Sequence, residues 1–204
     1  MYDELQNIQA KLKNKLTEKR YVHTLGVQYT SAALAMRYKI SIFDASLAGL
    51  LHDCAKNYSD DELIKRCLKH NIKVSDVEKR NGFLLHAKLG AYYAKSKYGV
   101  ENEEVISAIR YHTTGKPGMS TLEAIVFTAD YIEPSRKPLP NLDDIRSMAF
   151  VDLDEAVYQI LDSTLNYLGD KAVTDNKGRE IDNHTVDAYN YYKKLHDNKF
   201  NRKE

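Results

Sequence analysis

Four of the seven histidines in this chain lie late in, or inside, apolar helical patterns and have small residues as neighbours. These four are His23, His52, His86 and His112. The other three histidines have polar neighbours, which predicts solvated surface side chains; they are His70, His184 and His196. The first group therefore contains the candidates for metal or substrate binding.

Asp53 directly follows His52 at the end of an apolar stretch that includes Leu50 and Leu51. Burying an unpaired carboxylate is costly, because the ion loses its hydration. A metal ion would remove this cost and would use the adjacent imidazole as well. The alternative is a buried hydrogen bond between Asp53 and His52 without a metal, and the dipeptide alone leaves both interpretations open.

A second carboxylate, Asp130, follows another largely apolar run at 125–129, in a different predicted helix. Two isolated acids at the ends of apolar helical stretches, together with four similarly placed histidines, indicate one convergent site. Mixed nitrogen and oxygen ligands suit iron, manganese or zinc, whereas ligand sets made only of oxygen suit magnesium or calcium. The sequence therefore predicts a transition-metal site.

The elements that must position these residues are predicted to be helices. The chain has 204 residues, 43% of them hydrophobic and 29% charged, which is ordinary globular usage and suggests one domain. With only 9 glycines and 4 prolines, a sandwich or barrel rich in turns is disfavoured. We expect a single all-α bundle over residues 1–204.

Serine residues mark several helix starts. Ser59 with Glu62 and Ser120 with Glu123 have the spacing of capping boxes. A helix beginning at Ser41 is predicted to end at Asn57, and a helical stripe from Leu153 is predicted to end at Gly169. The remaining predicted elements are a stiff link at Pro138 and Pro140, one short hairpin over Val173–Ile181, and a last helix over 182–196.

The net charge of +1 disfavours a nucleic-acid partner, which usually requires a basic excess. No apolar run is long enough to span a membrane, and residues 1–20 do not resemble a signal peptide. The two cysteines, Cys54 and Cys67, form no C-x-x-C pair and are expected to remain thiols. These features predict a cytoplasmic protein that does not bind a membrane.

The order His23, His52-Asp53, Asp130 resembles the signature of the HD-domain metal-dependent phosphohydrolases. The surrounding words are more specific and resemble the bacterial YqeK family, whose members split diadenosine tetraphosphate symmetrically into two ADP. The resemblance extends over about residues 5–195, and its words are His23-Thr24-Leu25-Gly26-Val27, Leu51-His52-Asp53-Cys54-Ala55-Lys56, His86-Ala87-Lys88-Leu89-Gly90-Ala91, Tyr111-His112-Thr113-Thr114-Gly115 and Ala129-Asp130-Tyr131-Ile132-Glu133-Pro134-Ser135-Arg136.

The resemblance implies roles for particular residues of this chain. One firmly held divalent ion, for which iron is favoured, is expected on His23, His52, Asp53 and Asp130. His86 and His112 would either face the substrate phosphates, which we favour, or hold a second metal. Asp53, Lys56 and Arg136 are the expected catalytic residues. The expected substrate contacts are His23, Asp53, His86, His112, Thr113, Thr114, Asp130, Arg136, Val173, Thr174, Asp175, Asn176, Lys177, Gly178 and Asn190.

The implied chemistry is attack on a phosphoryl group by water that a metal has activated. Lys56 and Arg136 would stabilise the charge on the phosphates. Gly26 and Gly90 each share a helix face with a predicted site histidine and would allow close packing there. Alternatives are another HD-domain activity, such as a nucleoside monophosphatase or a phosphodiesterase, and a nucleotide sensor without catalysis. A homodimer is also left open.

Overall fold

The computed structural model describes residues 2–174 and 181–200, and side chains within these ranges except at residues 2, 170–174 and 200. All regular structure in these ranges is helical, with a short 3₁₀ turn at Gly82–Leu84. The α-helices are α1 (Tyr2–Lys13), α2 (Glu18–Tyr38), α3 (Ile42–Leu51), α4 (Asp60–Lys69), α5 (Asp76–Arg80), α6 (Leu85–Tyr98), α7 (Glu103–Tyr111), α8 (Thr121–Ile132), α9 (Leu142–Ala149), α10 (Leu153–Thr174) and α11 (Asn183–Phe200).

Local chemistry explains where several helices begin and end. Ser59 and Ser120 form the two predicted capping boxes, and Ser75 forms a third at the start of α5. In each box the serine side chain accepts a hydrogen bond from a backbone N–H that would otherwise be unsatisfied. Gly99 ends α6 in the left-handed conformation, with φ of 72°.

The predicted hairpin near the C-terminus is wrong in the part that the structure describes. Val173 and Thr174 belong to the last turn of α10 and form no strand, while 175–180 lie outside the described residues. Gly169 does not end this helix, because its φ is not positive and the chain continues in helical conformation through it. Residues 2–174 and 181–200 contain no strand.

Two further elements differ from the prediction, one in where it ends and one in being present at all. The helix that begins after Ser41 ends at Leu51, and residues 52–57 form turns with hydrogen bonds such as Lys56 N–H to the Asp53 carbonyl. Helix α9 was not predicted. Asn141 precedes this helix with a left-handed backbone, and its side chain makes no capping hydrogen bond.

The helices pack around two buried apolar clusters. One lies among α1, α3, α4, α6 and α7, and the other among α8, α9, α10 and α11. Helix α2 packs against both α3 and α8, while α7 packs against α6 and α8. The candidate residues therefore meet where the two clusters adjoin. Within the described ranges, no helix is long and apolar enough to cross a membrane.

Candidate metal centre

Five helices deliver the candidate residues to one place. His23 projects from the second turn of α2, and Asp130 from the last turn of α8. His52 and Asp53 immediately follow α3, His112 immediately follows α7, and His86 lies in the first turn of α6. Apart from His23 and Asp130, all are buried, as the apolar surroundings in the sequence predicted.

Three of the histidines are held by the same kind of hydrogen bond. The Nδ1 atoms of His52 and His112 donate to the carbonyl oxygens of Gly49 and Ile109, at 2.6 and 2.7 Å, and His86 Nδ1 donates to the carbonyl of Phe83. A carbonyl can only accept, so each Nδ1 carries the proton and each Nε2 presents a lone pair. These rings are therefore prepared as metal ligands or as hydrogen-bond acceptors.

His23 is held by a carboxylate in place of a carbonyl. Its Nδ1 lies 2.9 Å from Glu133 Oε1. Glu133 is 1% exposed, and it also accepts hydrogen bonds from Ser135 N–H at 2.6 Å and Ser135 Oγ at 2.8 Å. A carboxylate behind a ligating histidine fixes the ring and raises its basicity.

The inward-facing atoms lie close enough together to share an ion. His23 Nε2 is 3.0 Å from Asp130 Oδ1, and His52 Nε2 is 3.8 Å from the same oxygen. In the part of the chain that the structure describes, two sets have ligand atoms that all lie within 4.8 Å of one another: His23, His52 and Asp130, and His52, Asp53 and His112. His52 belongs to both sets and joins them.

Two buried atoms in this cluster make no hydrogen bond, namely His52 Nε2 and Asp53 Oδ1. His86 Nε2 is 3.2 Å from Asp53 Oδ1, but the pair lacks hydrogen-bond geometry. Leaving such atoms unsatisfied costs about 1–3 kcal/mol each, and more for a charged group. A cation would satisfy both atoms, so the donor set fits a divalent transition metal.

The charges of the cluster favour cation binding. Burial lowers the pKa of His52 and of His86 to about 4, so both rings are neutral near pH 7. Burial raises the pKa of Asp130, but hydrogen bonding to His23 and the charges nearby outweigh burial and lower it. Burial also raises the pKa of Asp53, but the nearby His52 and Lys56 outweigh burial and lower this pKa well below the ordinary value. Both carboxyl groups are therefore ionised.

Within the described ranges, three cations lie at the cluster. Lys56, which was predicted, donates from Nζ to His86 Nε2 at 2.9 Å. Arg136, also predicted, donates from Nη2 to Asp130 Oδ1 at 3.0 Å and from Nε to the Asp130 carbonyl at 2.8 Å. Arg20 was not predicted; its Nη1 lies 2.6 Å from Asp53 Oδ2.

The other predicted substrate contacts fall in different places. Thr113 Oγ1 lies 3.0 Å from His112 Nε2, at the cluster. Thr114 lines a separate cleft with Lys88 and Arg110. Asn190 is exposed on α11, and none of the hydrogen bonds found among the described residues joins it to the cluster. Asp175, Asn176, Lys177 and Gly178 lie outside the described residues.

Sequence reasoning missed Glu133 and Arg20 as parts of the site. Their spacing could have indicated a place near the site, because Arg20 precedes His23 by three residues and Glu133 follows Asp130 by three residues. Residues three apart in a helix are neighbours on its surface. Gly26 was expected to permit a close approach, and the group that approaches is the Glu133 carboxylate, which a Cβ at Gly26 would contact. A Cβ at Gly90 would lie 3.4 Å from the His52 carbonyl oxygen, an ordinary van der Waals contact, so the packing of α6 at this position does not require a glycine.

Comparison with known proteins agrees with this arrangement. Residues 20–135 match the HD domain family, and this range contains His23, His52, Asp53 and Asp130. A solved structure from Clostridium acetobutylicum, described as a predicted HD superfamily hydrolase involved in NAD metabolism, is 38% identical. It matches with a TM-score of 0.87 over 96% of this chain and 98% of its own.

Two curated relatives are also similar over most of their length. A Halalkalibacterium halodurans protein named symmetrical bis(5'-nucleosyl)-tetraphosphatase is 41% identical over 77% of this chain and 83% of its own. A Staphylococcus aureus protein of the same name is 38% identical over 88% of this chain and 90% of its own.

Proposed function

The chain belongs to the HD-domain family, in the group of the symmetrical bis(5'-nucleosyl)-tetraphosphatases, and we propose that it hydrolyses diadenosine tetraphosphate to two ADP. The observation that carries this proposal is the cluster of His23, His52, Asp53 and Asp130, in which two ionised carboxylates converge with the neutral imidazole of His52 and with His23. The 41% identity to a relative of this named activity specifies the substrate class.

HD-domain membership implies a divalent metal, and His23, His52, Asp53 and Asp130 are the residues that would hold it. When bound, such an ion supplies Lewis-acid polarisation of a phosphoryl group and activation of water. The ligand atoms are oriented in advance, since carbonyls hold the Nδ1 atoms of His52 and His112, and Glu133 holds that of His23. Iron is the favoured ion and stays a prediction.

The remaining residues of the cluster act on the phosphates. Lys56 is held at His86, and Arg136 at Asp130, so both place positive charge beside the reacting centre. Arginine can contact two phosphate oxygens at once, whereas lysine acts as a point charge. His112 Nε2 and Thr113 Oγ1 adjoin the same space and would orient the phosphate chain. The leaving group is ADP, a stabilised anion that needs little help from a general acid.

The experiment that tests this function is a substrate panel with the purified, metal-loaded protein. Diadenosine tetraphosphate, mononucleotides and cyclic nucleotides are each incubated with the protein, and the products are separated by anion-exchange chromatography. We expect ADP alone, formed from the tetraphosphate. Equal amounts of AMP and ATP would show that a different phosphate bond of the tetraphosphate is cut. Preferred hydrolysis of a mononucleotide or a cyclic nucleotide would indicate another HD-domain activity. Binding without any product would indicate a sensor. The cytoplasmic location and the homodimer stay predictions.

A further inference from the structure

A cleft of about 680 Å³ opens beside the metal centre, between the start of α2 and the segment 133–139 that follows α8. His23 and Glu133 form its inner wall, so the cleft reaches the cluster directly. Its volume is within the roughly 300–1,000 Å³ that small-molecule sites occupy. None of the sequence patterns considered above assigned a role to this space.

The lining of the cleft is rich in cations. Lys19, Arg20, Arg136 and Lys137 line it, and among the described residues the acids of its lining are Glu18 and Glu133. Glu133 is buried and engaged by His23 and Ser135, while Arg20 and Arg136 are paired with Asp53 and Asp130, so the positive charge toward the opening comes mainly from Lys19 and Lys137. The chain as a whole has a net charge of only +1, so this basic character is local. Local positive charge of this kind suits a phosphate chain.

The same cleft also contains exposed apolar side chains. Val22 is 49% exposed and Leu139 is 40% exposed, and both line the cleft together with the cations. Aliphatic side chains beside a row of cations match the two parts of a nucleotide, a flat apolar base and a charged phosphate tail. An inorganic anion would make no favourable contact with the aliphatic side chains of Val22 and Leu139.

A second, smaller cleft of about 70 Å³ borders the cluster through other residues, including His112, Thr113 and Asp130. Arg136 lines both clefts and therefore lies between them. A substrate with two identical halves, cut at its central bond, needs one half on each side of the reacting centre. Both clefts border the cluster, and the smaller one has room for phosphate groups only, so the larger cleft is the space beside the cluster that can hold a whole ADP half.

We propose that the cleft formed by Lys19, Arg20, Val22, Lys137 and Leu139 is a second nucleotide subsite, which holds one ADP half of the dinucleoside tetraphosphate. This inference rests on the proposed function. Lys19, Arg20 and Lys137 contact the two phosphates of that half, while Val22 and Leu139 contact its adenosine. The subsite explains selection of a dinucleoside polyphosphate over a mononucleotide, because a mononucleotide bound at the cluster leaves this cleft empty.

The test is the number of ADP molecules that each metal-loaded chain binds, measured by isothermal titration calorimetry. The parent protein is expected to bind two ADP. The double variant Lys19→Glu/Lys137→Glu is expected to lose about 10- to 100-fold in affinity at one of the two sites and to keep the other. Lys69→Glu/Lys194→Glu changes the net charge equally at exposed positions outside the cleft and should bind two ADP like the parent.

Leu139→Asp tests the adenosine contact separately. We expect a KM for diadenosine tetraphosphate raised about 10-fold, with an unchanged KM for adenosine 5'-tetraphosphate, which lacks the second nucleoside. Val151→Asp is the control, because Val151 is an exposed apolar residue outside the cleft, 69% exposed. One ADP per parent chain, or two sites of unchanged affinity in Lys19→Glu/Lys137→Glu, would overturn the subsite. A parent protein that binds two ADP but releases none from the tetraphosphate would instead overturn the proposed function.

Discussion

At the scale of single residues, the direction of each imidazole is decided by what its Nδ1 atom contacts. Carbonyl acceptors one turn earlier hold His52 and His112, and the Glu133 carboxylate holds His23. His196 lies outside the site and has a different environment. Its ring stacks on Tyr158 with ring centroids 4.2 Å apart, and its Nδ1 contacts Glu155. What distinguishes the site histidines is an Nε2 atom that faces a buried carboxylate.

Asp53→Asn is expected to abolish activity and to lower metal affinity by more than about 100-fold. Losing an outer-shell partner lowers metal affinity by up to about 100-fold, and losing a direct ligand should lower it further. The change removes a charge and keeps the shape of the side chain, which is 3% exposed. Metal content after desalting, measured by inductively coupled plasma mass spectrometry, should fall from one ion per chain to near zero. Asp61→Asn, at an exposed position on α4, should keep the parent metal content. Full occupancy in Asp53→Asn would remove Asp53 from the ligand set.

Arg136→Ala is expected to lower turnover by about 10- to 150-fold, the effect of losing one charge-assisted phosphate contact of roughly 1.5–3 kcal/mol. Arg136→Lys should recover only part of this loss, since lysine cannot make the planar two-point contact. Steady-state kinetics and ADP titration at saturating metal measure both effects. Parent kinetics and parent ADP affinity in Arg136→Ala would mean that Arg136 only anchors the Asp130 carboxylate, which it contacts at 3.0 Å.

At the scale of elements, α2 and the end of α8 approach each other closely at Gly26. A Cβ at this position would contact the Glu133 carboxylate that holds His23. Gly26→Ala is therefore expected to displace Glu133 and to weaken metal binding by about 10- to 100-fold. Competition with a chelating dye measures the affinity.

Gly169→Ala is the matched control, because Gly169 is also inside a helix and a Cβ there would have no atom within 4 Å. It should raise the free energy of unfolding by roughly 0.5–1 kcal/mol and leave metal affinity unchanged. Equal metal affinity in Gly26→Ala and Gly169→Ala would show that the Glu133 contact does not position His23.

Helix starts were the most predictable elements, since Ser59 and Ser120 satisfy backbone donors within one turn and need no distant contact. Elements that depend on tertiary packing were less predictable. Gly169 looks like a helix end, but an interior glycine costs only about 1 kcal/mol, and α10 continues through it. Helix α9 buries Leu142, Ile145 and Ala149 against the second core without a side-chain cap.

At the scale of the whole molecule, the metal centre lies where two apolar cores adjoin and takes its residues from both. The convergence of His23, His52, Asp53 and Asp130 could be predicted from sequence, because the apolar runs before Asp53 and Asp130 indicate buried carboxylates and the order of these residues resembles the HD-domain signature. Arg20 and Glu133 could not be found in this way. Their helical spacing places them near His23 and Asp130, but their partners depend on which residues α2 and the end of α8 bring into contact, and spacing along the chain does not reveal those partners.

Because the ligands come from α2, α8 and the turn after α3, metal binding is expected to stabilise the entire fold. An ion that binds only the folded state, at 100 times its Kd, adds about 2.7 kcal/mol. For a chain of this size that corresponds to a Tm higher by roughly 5–10 °C, which differential scanning calorimetry measures with and without a chelator. Asp53→Asn should unfold at one temperature in both conditions. A parent Tm that does not respond to the chelator would contradict this coupling.

The most direct test of the metal centre is anomalous X-ray scattering from crystals of the metal-loaded protein, recorded on both sides of the absorption edge of the metal. The structure predicts one strong anomalous peak, bounded by His23 Nε2, His52 Nε2 and carboxylate oxygens of Asp53 and Asp130. The peak should be absent from Asp53→Asn crystals grown in the same way. A peak bound elsewhere in the parent protein, or none at these four residues, would contradict the central claim that they hold the catalytic metal.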